Sequence, residues 1–432
     1  MALQVVGALA EPDLLFLPWQ TPLEDWPEES TVALPKGISR HIVRFIRLHG
    51  VVYALKETEQ PIAAREYDLL QTINELGIPS VEPIGIISGR TDSEGNELKS
   101  VLMTRHLEYS LPYRALFSST LSAETATRLL DALALLLVQL HLNGFSWGDC
   151  SLSNTLFRRD AGAFAAYLVD AETGDLHKQL SDGQRSYDID LAVTNVTGEF
   201  MDLAAAELLH DSIDPFITGE EIKTRYNRLW QMVTEPVMMK SSERYRLEER
   251  IRELNELGFD VAEMISTAST HPSDAELRII MRPKVVDAGH HARRLIRLTG
   301  LDVEENQARR LLNDLDQFRL EHDISIEEEQ IAAHMWVTEA FERVMSLIPK
   351  PIRGKLEPAQ IYHEFLQHRW YMSEEAGFDV GRDVAATHYA ETVLKNRPDE
   401  KAVIGTPSTD VDSGVTTSAL LFPDDTIDMD VN

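Results

Sequence analysis

The segment FSWGDCSLSNTLF (145–157), followed by YLVDAETG (167–174), constrains the fold more than any other part of this chain. Asp149 and Asn154 are separated by four residues in one polar loop, and Asp170 closes the apolar run 165–169. Before the loop lies a leucine-rich stretch, TATRLLDALALLLVQLHLNG, opened by the N-cap candidate Ser122 with Glu124 in the first turn and stopped at Asn143-Gly144. It is apolar on most sides and is expected as a central, buried helix. After the loop, Thr155 to Arg158 and Ala166 to Asp170 read as two short strands around a turn at Asp160-Ala161-Gly162. The loop lets two side chains converge, and the hairpin returns a second carboxylate beside Asn154. A further apolar helix is expected near Leu191 to Leu209.

Upstream, His41 to Leu48, Val51 to Glu57, Pro83 to Ser88 and Ser100 to His106 read as strands, with turns at His49-Gly50 and over 89–97. One helix is expected from Ile62 to Leu76, after Pro61 and before Gly77 and Pro79. Ile62, Glu66, Leu69, Ile73 and Leu76 recur at spacings of three and four, so Glu66 falls on the apolar stripe. A carboxylate on a packed face is costly unless paired, and Lys56, at the end of the strand Tyr53-Ala54-Leu55-Lys56, is the natural partner. Phosphoryl transfer requires this set of groups: a carboxylate near the attacking hydroxyl, oxygen ligands that hold Mg2+ on the phosphates, and a lysine on the phosphates paired with a glutamate. The bland alternatives are a polar loop at 149–154 and a solvated Lys56 and Glu66, but two independent halves of one constellation favour the chemical reading.

The run L-H-L-N-G-F-S-W-G-D-C-S-L-S-N-T-L-F, with Asp170 downstream, resembles the Kdo/heptose lipopolysaccharide kinase family, within the protein-kinase-like superfamily that also holds aminoglycoside phosphotransferases. The resemblance covers roughly 37–209 and is far more specific for the superfamily than for the substrate. It implies a two-lobed fold using ATP and Mg2+, with Asp149 as catalytic base, Asn154 and Asp170 as metal ligands, Lys56 on the phosphates and Glu66 holding Lys56. By position, Arg105, His106 and Leu107 form the hinge whose backbone binds adenine. Three departures matter. Trp147 and Gly148 precede Asp149 where many kinases have a histidine, so the usual histidine support of the loop is expected to be missing. There is no G-x-G-x-x-G, and Gly37-Ile38-Ser39-Arg40-His41 is the candidate turn over the phosphates, with Gly37, Ser39 and Arg40 as ATP-binding residues. Asp170 is followed by Ala171-Glu172 with no A-P-E segment, which points away from protein substrates under activation-loop control. Asp188 or Asp190 is expected to bond back to the loop, a plain helix cap being the alternative for either.

Beyond about Ser212 the chain turns charged and helical: EEIKTRYNRLWQMV, ERYRLEERIRELNELG, HHARRLIRLTG, VEENQARRLLNDLDQFRL and EEEQIAAHMWVTEAFERVMSLI all carry the helical period. The expected fold class is α+β, a two-lobed protein-kinase-like fold followed by a mainly α-helical C-terminal domain and a disordered acidic tail. The expected divisions are an N-terminal extension (1–30), N-lobe (31–108), C-lobe (109–215), helical domain (216–395) and tail (396–432), the tail being rich in Asp, Ser, Thr and Pro. The helical region looks like an uncharacterised domain that accompanies such kinase-like halves in bacterial proteins. Its basic residues Arg282, Lys284, His290, His291, Arg293, Arg294, Arg297, Arg309 and Arg310 read as a solvated face paired with nearby acids before they read as an anion site.

A formal charge of -30 over 432 residues repels phosphate backbones and anionic lipid, which argues against nucleic-acid partners. Cys150 is the one cysteine, so no intrachain disulfide forms, and an inert packed thiol is the favoured reading. The first twenty residues lack a basic start and are broken by Glu11-Pro12-Asp13, and no membrane span is expected, which gives a cytoplasmic expectation. The expected function is ATP-dependent transfer of a phosphoryl group to a hydroxyl on a small molecule, sugar or glycoconjugate. The alternative is a nucleotide-binding pseudokinase that acts as scaffold or regulator, with the helical domain as the site of a protein partner.

Overall fold

The computed structural model describes residues 3–7, 12–27, 31–32, 41–112, 116, 123–161, 163–210, 213–234, 237–240, 259–269, 278–288, 290–322, 324–325 and 328–397. The N-lobe is an antiparallel sheet of β1 (Gln4–Gly7), β2 (Ile42–Leu48), β3 (Val51–Thr58), β4 (Glu82–Ser88) and β5 (Ser100–Arg105), in the order β1-β4-β5-β3-β2. The β2–β3 hairpin turns through His49 and Gly50, both with positive φ, as a two-residue loop matching strand twist requires. Alternation along the strands gives the sheet two apolar faces. One takes helix α1 (Gln60–Glu75), whose Ala63, Tyr67, Leu70 and Ile73 meet Ile86 and Leu102.

The opposite face is covered from within the stretch 1–30 that was set apart as an N-terminal extension. Leu14, Trp19, Leu23 and Trp26 pack against Ile46, Tyr53, Leu55, Ile87, Val101 and Met103, while β1 pairs with β4 from Gln4↔Ser88 to Gly7↔Gly85. Leu14, Trp19, Leu23 and Trp26 supply the cover that the sheet's second apolar face needs. Arg90, 1% exposed, pins it: its guanidinium donates to the Trp19, Thr21 and Lys99 carbonyls and to Glu57 Oε1 at 2.6 Å.

The C-lobe is built round α2 (Ala123–Leu142), flanked by α3 (Asp182–Ala205), α4 (Pro215–Thr234) and the hairpin of β8 (Thr155–Asp160) and β9 (Ala163–Leu168). Short strands β6 (Leu111–Pro112), β7 (Phe145–Ser146) and β10 (Asp175–Leu176) complete it, β6 pairing with β8 and β7 with β10. Among the described residues one helix, over Thr125–Leu142, is long and apolar enough to cross a membrane by length and composition, and 67% of that window is buried inside the protein. Helix α3 starts at Asp182 rather than near Leu191, because Ser181 and Gln184 form a reciprocal capping box. The C-lobe also extends past the expected boundary at 215/216: Ile222, Tyr226 and Val233 of α4 lie in the same core as α2, whose apolar circumference is too wide for α3 and one hairpin to cover.

The C-terminal domain carries α5 (His290–Thr299), α6 (Glu305–Glu321), α7 (Glu329–Trp336), a π-helical segment Val337–Phe341, α8 (Glu342–Leu347), α9 (Pro358–Ala376) and α10 (Arg382–Thr392). Their apolar stripes meet in a second core that includes Leu311, Leu315, Phe318, Trp336, Phe341, Tyr362, Phe365 and Tyr389. It is not helical throughout. β11 (Val237–Lys240), β12 (Phe259–Ser269) and β13 (Arg278–Ala288) form an antiparallel sheet in the order β11-β13-β12, rich in the Val and Ile that favour strands. The periodic segment 243–258 and the acidic tail from 398 lie outside the described residues. The basic cluster divides: Arg294 pairs with Glu329 and lies 3.6 Å from Asp316, and His291 lies 2.5 Å from Glu305, as expected of a paired face, while the Arg282, Lys284 and His290 side chains lie outside the described set.

Candidate active site

Two elements far apart in sequence deliver the first cluster. Strand β3 presents Lys56, and α1 presents Glu66 from its packed face, 1% exposed. Lys56 Nζ lies 2.9 Å from Glu66 Oε2, 2.7 Å from Asp170 Oδ2 and 3.1 Å from Glu172 Oε2, so the lobes meet through one ammonium. His41, just before β2, adds Nε2 at 2.7 Å from Glu172 Oε2. Burial opposes the charge on Lys56, but Glu66 and Asp170 outweigh it and hold the amine well above its ordinary range. For Glu66, burial and then Asp170 prevail over Lys56, and its carboxyl is pushed up to about 7. The asymmetry is physical, since the lysine faces only carboxylates whereas Glu66 faces carboxylates as well as the lysine.

The second cluster is the 147–154 loop. Asn154 Nδ2 donates to the Asp149 carbonyl at 3.0 Å and to Asp149 Oδ2 at 3.2 Å, and Val169 N donates to the Asn154 carbonyl at 3.0 Å, which ties the loop to the segment bearing Asp170. Helix α3 braces the loop along a single stripe. Asp188 accepts from Trp147 N and Gly148 N, each at 2.7 Å; Asn195 Nδ2 donates to Asp149 Oδ1 at 3.1 Å and to the Cys150 carbonyl at 3.2 Å; Glu199 accepts from Leu152 N at 2.6 Å and Ser153 N at 2.8 Å. Of the two aspartates singled out, Asp188 thus bonds to the loop and Asp190 pairs with Lys223; neither is the cap, which is Ser181.

Trp147 stands where the histidine is absent and bonds in its own way. Its ring Nε1–H donates to the Asp170 carbonyl at 2.8 Å, so the loop is supported from the position where a histidine was missing, by an indole that is also fully buried in the core. His141, the next-to-last residue of α2, supplies an imidazole from elsewhere, with Nε2 3.0 Å from Asp188 Oδ2. Cys150 is fully buried, and burial together with Asp188, Glu199 and Asp149 raises its thiol well above the ordinary range, which leaves it inert.

Arg105, His106 and Leu107 connect β5 to β6. The His106 N–H is already donated to the Val52 carbonyl at 2.9 Å, its ring meets Phe45 edge-on at 5.4 Å, and burial lowers its pKa to about 4, so the imidazole is neutral. Arg105 faces Glu82 at 3.2 Å on the surface. Gly37, Ser39 and Arg40 lie outside the described residues.

Sequence reasoning missed Glu172, His41, Asn195 and Glu199. Asn195 and Glu199 follow Asp188 by seven and eleven residues, so three polar groups lie on one side of a helix whose Ile189, Ala192 and Val196 are core, and that stripe was a readable signal. Carboxylate oxygens of Glu66, Asp170 and Glu172 all lie within 4.8 Å of one another, with Lys56 as the ammonium among them. Three carboxylates around one ammonium leave excess negative charge on hard oxygen donors, a donor set that fits Mg2+.

Residues 40–193 match the Lipopolysaccharide kinase (Kdo/WaaP) family, and residues 228–394 match a Domain of unknown function (DUF4032). Among solved structures, a match to "WaaP in complex with acyl carrier protein" has 15% identity and a TM-score of 0.33 and covers 59% of this chain and 99% of that chain. No curated protein matches the chain. One stretch of the chain, with a kinase-like arrangement of elements, is therefore similar to the lipopolysaccharide kinase (Kdo/WaaP) family, and a second stretch after it is similar to DUF4032.

Proposed function

We propose that this protein transfers the γ-phosphoryl group of Mg-ATP to a hydroxyl on a small molecule, sugar or glycoconjugate. The observation that carries the reading is the meeting of Lys56 Nζ with Glu66 at 2.9 Å and Asp170 at 2.7 Å, which joins a strand of the N-lobe to the C-lobe residue that follows β9. Lys56, kept charged by its acidic neighbours, binds the phosphates. Asn154 and Asp170 hold Mg2+, with Glu172 beside them; Asn154 turns its amide nitrogen to Asp149 and keeps its side-chain oxygen for the ion. Bound Mg2+ supplies charge neutralisation on the phosphate oxygens. Asp149, its carboxylate fixed by Asn154 and Asn195, accepts the proton of the acceptor hydroxyl. The backbone of 105–107 would take the adenine, and Gly37, Ser39 and Arg40 would contact the phosphates. An ATP consumer whose single thiol is buried and inert suits the cytoplasm.

The test uses labelled ATP and Mg2+ with a panel of sugars, glycoconjugates and small alcohols, comparing wild type with Asp149→Asn. Transfer or phosphate release is expected to fall by about 10²–10⁴ in the variant. A wild type that binds ATP but turns over no faster than Asp149→Asn on every acceptor supports a nucleotide-binding scaffold instead. That second reading draws on Glu172, which competes with phosphate for Lys56. Thermal stabilisation by Mg-ATP, expected in wild type and lost in Asp170→Asn, is the simpler first measurement.

A further inference from the structure

The hairpin that joins Asn154 to Asp170 holds the C-terminal domain at its far end. Strand β8 begins at the residue after Asn154, and β9 ends two residues before Asp170, with Thr155↔Leu168 through Asp160↔Ala163 in register. At the tip, Asp160 is 4% exposed and accepts three hydrogen bonds from the first turn of α6: Gln307 N at 2.8 Å, Asn306 Nδ2 at 2.9 Å and Asn306 N at 3.2 Å. The Gln307 side chain, fully buried, donates to the Arg159 carbonyl and to Gln360 Oε1, each at 3.0 Å.

Polar contacts to the C-terminal domain are made from both strands. Arg158 reaches Glu304 at 3.1 Å and Glu357 at 2.6 Å, and on β9 the Tyr167 hydroxyl donates to Glu304 at 2.5 Å. The base of the same hairpin is fixed to the N-lobe side, where Leu168 exchanges hydrogen bonds with Pro79 and Val81 at 3.1 and 3.0 Å, and its middle is fixed by the Leu111↔Phe157 pair.

A buried carboxylate that accepts amides from another domain holds that domain in one register, because sliding by a residue strands both the charge and the donors. Both strands are gripped, β8 through Arg158 and Asp160 and β9 through Tyr167, so the grip fixes how one strand sits against the other. Six residues of β8 carry that constraint about 20 Å to Asn154. We infer that Asp160 and Tyr167, with Glu304 and Gln307 opposite them, are positioning residues for the metal ligands: docking of the C-terminal domain sets where Asn154 stands relative to Asp170. This inference rests on the proposed role of those two residues in holding Mg2+, and it assigns the DUF4032 region a part in the chemistry.

The experiment uses the full chain, with Mn2+ in the presence of a non-hydrolysable ATP analogue as the probe, read by electron paramagnetic resonance, and amide exchange as a second readout. Asp160→Ala and Gln307→Ala are each expected to weaken Mn2+ binding by at least about tenfold, the lower end for groups that orient metal ligands. Exchange over 155–168 should quicken while α2 and α3 keep their protection, and Asp160→Asn, which retains one acceptor oxygen, should recover part of the affinity. Mn2+ affinity within twofold of wild type in Gln307→Ala overturns the inference whatever the exchange, since docking is then structural only. Gln307→Ala leaves the kinase-like half untouched in sequence, so it decides the matter even where Asp160→Ala fails to fold. A wild type that binds no Mn2+ overturns the metal reading and this inference together, and is recognised by that control alone.

Discussion

His141 Nε2 lies 3.0 Å from Asp188 Oδ2, with both side chains fully buried, and this contact joins the core helix α2 to the brace of the 147–154 loop. A carboxylate can only accept, so Nε2 carries a proton, and Nδ1 on the other side of the ring lies 2.7 Å from the Tyr226 hydroxyl. Burial works against the charge on Asp188, yet His141 and the amides of Gly148 and Trp147 hold its pKa below the ordinary value.

Asp188→Ala is therefore expected to cost about 3–5 kcal/mol, because two loop amides and an imidazole N–H lose their acceptor inside the core. A lowered folded-state pKa places the stabilisation above the ordinary aspartate range and removes it as pH falls through the folded value. Urea denaturation of wild type should thus show this contribution intact at pH 5 and eroding only below about pH 4. An Asp188→Ala protein as stable as wild type at pH 7 would contradict the assignment.

Glu66 gives the opposite sign. Its carboxyl is raised to about 7, so between the ordinary glutamate range and that value the folded protein holds a proton that the unfolded chain has released. The group's contribution to stability is full below about pH 4.5 and is lost as pH rises through about 7. In the absence of metal, wild type should lose on the order of 2 kcal/mol relative to Glu66→Gln between pH 5 and pH 8, measured by denaturation at fixed ionic strength. Parallel pH profiles for the two proteins would show that Glu66 titrates with an ordinary pKa.

Legibility followed the range over which the physics acts. Strand pairs closed by a local turn, such as β2–β3 through His49-Gly50, and helices with their own punctuation, such as α1 between Pro61 and Gly77, lay within a residue or two of the expected bounds. So did the pairing of Lys56 with Glu66, because a carboxylate on an apolar stripe announces its need for a partner. What sequence could not reveal was cover supplied from a distance. Trp19 and Trp26 gave no sign that they roof a sheet formed tens of residues later, and Tyr226 gave none that it closes the core round α2. The contact of Trp147 was hidden for the same reason: its indole N–H finds the Asp170 carbonyl only after the hairpin has returned.

Arg90 tests that cover. Its fully buried guanidinium holds the Trp19 and Thr21 carbonyls and Glu57, and Trp19 meets Trp26 edge-on at 5.2 Å. Arg90→Ala leaves Glu57 without its ion-pair partner and frees two carbonyls, for an expected loss of about 3–5 kcal/mol. Residues 12–27 should detach before the rest of the N-lobe, seen as a red-shifted tryptophan emission at denaturant concentrations where the far-ultraviolet dichroism is still native. Coincident transitions by the two probes would mean that the segment is integral even without the arginine.

Asn195 separates positioning from folding. Its amide nitrogen lies 3.1 Å from Asp149 Oδ1 and 3.2 Å from the Cys150 carbonyl, so Asn195→Ala frees the Asp149 carboxylate to rotate while Asp188 and Glu199 still hold the backbone of the loop. Under the proposed chemistry a misplaced base lowers kcat by up to about a hundredfold, with little change in the KM for ATP, because Lys56 and its partners are untouched. The melting temperature should fall only slightly, since an ordinary hydrogen bond contributes about 1 kcal/mol. Asn195→Gln, whose longer side chain displaces the donor, should not restore the rate, and a kcat equal to wild type in Asn195→Ala would mean that Asn154 alone fixes the carboxylate.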